Sequence, residues 1–312
     1  MMGAVSTNHH RVQIGRGGVV SAAFWLAGVY LVIASAAQLP LDGPTATTIA
    51  TLVFVAGGLP HGAYDIALLA RSTGLRSGGL GLAVMAYIGV AATMSVLWLV
   101  TPVVALILFL IVAAIHFGED WTMIDEPLLR MAAGTAIIAA PAIGHPATVA
   151  QLFVSMAGGP GGEVVAQAMI ALAPVALLVT GVGIGVAWHE GAREWAAATA
   201  FAILALIVMP PVAGFALFFV FLHSPRHIAA ARTVLAGMSR TMWLATGAGM
   251  SAFAIGGWLV FATHVEGLPT DITAQAFQLL AAVALPHLLL SRWLERRLER
   301  RLELPSAVLR QT

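Results

Sequence analysis

The chain has no cysteine and no lysine, and only 9% of its 312 residues are charged, against roughly 25% in soluble domains. Without cysteine there is no disulfide framework, no iron–sulfur cluster and no thiolate site, so any metal must be held by imidazole, carboxylate or water. Without lysine there is no amine for a Schiff base, which excludes a retinal-binding rhodopsin and any Schiff-base enzyme. The net charge is +1 and no basic patch is interleaved with aromatics, so no nucleic-acid partner is expected.

Apolar residues are what the chain has instead, at 60% of the total. Runs of about 20 such residues, enough to cross a bilayer core as helix, recur throughout. The expectation is an all-α, polytopic transmembrane helical bundle with about eight to ten spans. Candidate spans are 19–38, 45–70, 79–100, 102–118, 128–145, 163–187, 194–209, 211–231, 243–262 and 272–291, while 147–157 is too short to cross. Three regions follow: a cytoplasmic N-terminal segment 1–18, a transmembrane catalytic domain 19–291, and a cytoplasmic amphipathic helix and tail 292–312. Residues 292–303 alternate Glu and Arg at helical spacing, as in a helix lying at the membrane surface.

Arg11, Arg16, Arg71, Arg76, Arg193, Arg232, Arg240 and the block from Arg292 fall in alternate loops, which by the positive-inside rule makes both termini cytoplasmic. Loop 119–127 is an acidic exception, and acidic residues weigh little in that rule. Spans two, four, eight and ten then all run inward. His61, His116, His223, His227 and His287 fall in the second halves of those spans, at one depth.

Histidines and carboxylates in lipid-like sequence are costly, by about 2.5–3.5 kcal/mol per charged group on insertion scales, and mark functional sites. His61-Gly-Ala-Tyr-Asp65 and His116-Phe-Gly-Glu-Asp120 repeat one pattern, and His223-Ser-Pro-Arg-His227 adds a second histidine pair. Residues four apart share a helix face. Asp65 and Asp120 therefore suit the role of carboxylates orienting His61 and His116, or of direct ligands. Pro60, Pro225 and Pro286 should distort their helices and re-aim the histidines. The reading is a metal site of imidazoles, compatible with iron, zinc, copper or nickel. His9, His10, His145, His189 and His264 lie in termini, loops or span ends and are expected to be structural or solvated.

These motifs, with Pro286-His287, resemble in order and approximate spacing those of the bacterial and archaeal membrane β-carotene 15,15′-dioxygenases, over about 230 residues from span two to span ten. The resemblance implies a multi-pass enzyme of the bacterial inner (plasma) membrane that splits the central double bond of β-carotene with O2. Two molecules of all-trans-retinal result, possible cargo for a rhodopsin. It implies Fe(2+) held by His61, His116, His223 and His227, with Asp65, Asp120 and His287 at further catalytic positions.

Two other readings share some features. A membrane di-iron hydroxylase or desaturase also uses H-x-x-x-H, but its usual H-x-x-H-H pairs are absent. A proton- or metal-coupled transporter would use a His/Asp relay with polar residues on both sides of the midplane, whereas these fall in one half.

Overall fold

Proline opens helix after helix, at the first helical position where its missing N–H costs no hydrogen bond. The computed structural model describes residues 20–308 apart from Arg76, Thr122, Met123 and Asp125. The expected N-terminal segment 1–18 lies outside the described residues. α1 (Ala22–Ala36) is capped by Ser21, and α2 begins at Pro44 and ends at Gly58. A 3₁₀ turn (Leu59–Tyr64) joins α2 to α3 (Asp65–Thr73), which stops at Gly74 in the left-handed conformation. α4 (Ser77–Val100), α5 (Pro102–Gly118), α6 (Pro127–Gly144) and α7 (Pro146–Ala157) follow. Then come α8 (Gly161–His189), α9 (Arg193–Val208) and α10 (Pro211–Phe218), which a π-helical turn (Phe219–His223) joins to α11 (Ser224–Val234). α12 (Arg240–His264) and α13 (Ile272–Val308) complete the order, with no strand among the described residues.

Seven helical stretches are long and apolar enough to cross a membrane, fewer than the eight to ten expected. The expected spans 19–38, 102–118 and 194–209 form helices of 15, 17 and 16 residues, which fall short of that length. α5 is one of these, and much of it is enclosed by protein. Met209-Pro210 separates α9 from α10, so the proline pair divides two helices. α13 runs unbroken past residue 291, so 292–303 continues the last span. No glycine or proline interrupts the chain from 288 to 304.

Small residues allow close packing. A Cβ on Gly134 of α6 would run into the backbone of α5 at Ala114, and one on Gly144 into α9 at Ile207. A layer of aromatic rings, including Phe54, Phe109, Phe215 and Phe277, fills the centre beside the histidines. Polar contacts are few: Thr51 pairs with Thr273 at 3.0 Å, and Gln278 donates to the Met156 carbonyl at 3.0 Å.

Candidate metal centre

At Pro60 the chain cannot continue the hydrogen bonding of α2, and the helix tightens into the 3₁₀ turn that carries His61. His61 Nδ1–H donates to the Gly58 carbonyl within that turn. Gly58 has no side chain because the Phe219 ring lies where its Cβ would be. Tyr64 fixes the turn from the other side, stacking on Trp243 at 3.8 Å and donating to its carbonyl at 3.3 Å.

His116 sits in the last turn of α5, and its Nδ1 lies 3.2 Å from Glu119 Oε2. Glu119 in turn accepts from Arg292 Nε at 3.2 Å. His223 closes the π turn, fully buried, with Nδ1 donating to Asp120 Oδ2 at 2.8 Å. His227, one turn on in α11 and half-buried, places Nε2 3.5 Å from Asp120 Oδ1 without hydrogen-bond geometry. From α13, His287 Nδ1–H points between both oxygens of Asp65 at 2.8 and 2.9 Å, and Tyr87 of α4 donates to Asp65 Oδ2 at 3.0 Å.

The sequence expectation of one depth holds, because all five histidines meet. Contacting rings lie 4.4 Å (His223–His227) to 6.5 Å (His227–His287) apart. The nitrogens form two overlapping sets, each within 4.8 Å: His61, His116 and His287, and His116, His223 and His227. The set His61, His116, His223 and His227 is thus not gathered as one group. His223 joins through His116, and His61 through the other set.

The expected carboxylate pairings are corrected. Asp65 orients His287 rather than His61, and Asp120 orients His223 rather than His116. His61 is oriented by a backbone carbonyl, and His116 by Glu119 at i+3. Sequence reasoning missed Glu119, whose signal was that spacing, and Tyr87, which has none. The distortion expected at Pro225 is present as the π turn just before it. His145 instead contacts the Val208 carbonyl at 3.2 Å, while His189 and His264 are exposed.

These residues fit a metal. Carboxylates and the Gly58 carbonyl can only accept, so His61, His116, His223 and His287 carry their protons on Nδ1 and leave Nε2 bare. The bare Nε2 atoms of His116 and His223 are 3.1 Å apart, two lone pairs facing each other with no proton between them. The buried Nε2 atoms of His287 and His227 also lack a hydrogen-bond partner. A cation among these nitrogens satisfies all of them, and an oxygen acceptor on the far nitrogen is the usual dress of a metal-bound imidazole.

Beside the cluster lies a cavity of about 580 Å³, within the usual size range for small-molecule sites. His61, His116 and His287 form its polar wall, while the 3₁₀ turn, α4, α5, α12 and α13 supply an almost wholly apolar remainder. Tyr87→Phe, which removes one hydrogen bond from Asp65, should lower metal affinity by less than about tenfold. Equilibrium competition with a chelator measures it, and a hundredfold loss would show a larger role for the phenol.

A helical membrane protein whose buttressed imidazoles open onto an apolar cavity is fitted for metal chemistry on a lipid-soluble molecule. Comparison with known families is more specific. Residues 51–295 match the family model described as beta-carotene 15,15′-dioxygenase, and the chain belongs to that family. It is 27% identical over 257 residues to the beta-carotene 15,15′-dioxygenase of uncultured marine bacterium 66A03, covering 78% of this chain and 90% of that relative. No solved structure matches it.

Proposed function

We propose that the chain cleaves the central 15,15′ double bond of β-carotene with O2, replacing one C=C bond by two C=O bonds and releasing two molecules of all-trans-retinal. The observation that carries this reading is the juxtaposition of three cluster histidines with a large apolar cavity among membrane-length helices. The metal is Fe(2+), held by His61, His116, His223 and His227, and it supplies the one-electron chemistry that O2 needs to react with an alkene. Asp65, Asp120 and Glu119 hold the imidazoles in orientation. Apolar walls keep water from the reacting polyene.

Cavity length supports central cleavage. The α12 residues on its wall run from Met250 to Phe261, about 16 Å at 1.5 Å per residue. That is about half the ~30 Å of a bilayer core, and β-carotene is about as long as the core is thick. One half of the molecule can lie along α12 with its midpoint near the histidines, a selection by position rather than by chemical recognition. The enzyme lies in the bacterial plasma membrane with both termini cytoplasmic, takes β-carotene from the bilayer and can pass retinal to a rhodopsin.

The test is expression in a bacterium that makes β-carotene, with chromatography of the extracted pigments. Retinal as the sole apocarotenoid is expected. Hydroxylated or ketolated carotenoid would support the hydroxylase reading, and unchanged pigment beside membrane-inserted protein would support the transporter. Ala91 of α4 lines the cavity, so Ala91→Trp should fill it and lower retinal output about tenfold or more while metal content stays unchanged. Unaltered turnover in that variant would place the polyene elsewhere.

A further inference from the structure

We infer that His287 is itself a metal ligand, seated with His61 and His116 on the cavity wall and locked there by Asp65. The inference rests on the metal-dependent reading above and adds a residue to its ligand set.

His287 has the environment of a ligand at both nitrogens. Nδ1–H is held by both oxygens of Asp65, at 2.9 and 2.8 Å, and Tyr87 braces the same carboxylate. Nε2 is buried and has no hydrogen-bond partner. A histidine serving only to orient another ligand would spend its second nitrogen on that ligand, and His287 does not. Its ring meets those of His61 and His116 at 5.1 and 5.0 Å, near right angles to each. Gly62 bounds the ring on another side, where an added Cβ would stand 3.4 Å from Nδ1.

Position then separates His287 from the remaining pair. Nitrogens of His61, His116 and His287 lie within 4.8 Å of one another, and these three, not His223 or His227, line the cavity. Three imidazoles with open positions toward a cavity are the donor set of many catalytic metal sites. His223 and His227 lie behind, drawn toward Asp120. The face of the metal that meets the substrate is thus framed by His287, and Asp65 is its positioning residue.

Co(II) is the probe, bound without carotenoid to the full-length protein in detergent, so a failure of cleavage leaves this readout intact. His287→Ala should change the visible ligand-field bands of bound Co(II) and lower its affinity more than about 100-fold, the upper end for losing a mere orienting partner. Added imidazole should restore the bands. A second measurement uses Asp65→Asn, which keeps the imidazole: one hyperfine-shifted N–H proton signal of the Co(II) protein should move or vanish. Unchanged bands in His287→Ala, or no shifted N–H signal responding to Asp65→Asn, would overturn the assignment.

Discussion

His116→Ala abolishes retinal formation while the protein still inserts in the membrane: that is the largest single effect expected. His116 belongs to both overlapping sets of nitrogens, so its loss removes a corner from each. It also leaves His223 Nε2 without the nitrogen 3.1 Å away and Glu119 without its imidazole, although Glu119 keeps Arg292. The fold should tolerate the change better than the chemistry. His116 is near the end of α5, and Phe117 beside it still packs on Phe215 and Phe218. Activity is expected to fall more than about 100-fold, beyond the range for orienting partners, with metal content falling in parallel. Pigment analysis and metal analysis of the same purified membranes measure both. Substantial retinal from a metal-loaded variant would remove His116 from the ligand set.

Asp120→Asn should have the next largest effect. One carboxylate faces two histidines, His223 at 2.8 Å and His227 at 3.5 Å. An amide offers a single acceptor oxygen and turns its NH₂ toward one ring, forcing that imidazole to change tautomer or rotate. Metal affinity should drop about 10- to 100-fold, and retinal output should recover in part with excess Fe(2+). Side chains of similar size keep packing constant, so a large loss of thermal stability is not expected. A variant with unaltered metal affinity would show that His223 and His227 are aligned by the helix alone.

How much of this site was legible in the sequence depends on what the local helix does. Alternating arginine loops set the direction of the spans, and direction with register was enough to bring five distant histidines to one level. Pairing within each motif was not legible, because the i+4 rule belongs to a regular α-helix. His61 lies in a 3₁₀ turn, where four residues advance about 120° past a full number of turns instead of about 40°. Asp65 therefore points away from His61 and toward α13. α5 has already ended at Gly118 when Asp120 is reached, so that carboxylate is free to face α11. Glu119, still within reach at i+3, takes the place assigned to Asp120. Tyr87 could not be found from spacing, since α4 meets Asp65 only through tertiary packing. Helix existence was readable throughout, but the span count was not, because short helices enclosed by protein need not match the thickness of a membrane.

The π turn at Phe219–His223 has a consequence for length. It holds one residue more than an α-helix would need over the same rise, and Pro225 stands just beyond it. Removing one residue there, Val220 for example, would let the strand of hydrogen bonds close in α-register and swing all that follows by about 100°. His223 and His227 would leave Asp120 together, with every side chain of the site still encoded. In this span the chemistry is written partly in the number of residues, and a deletion that spares every motif would silence it.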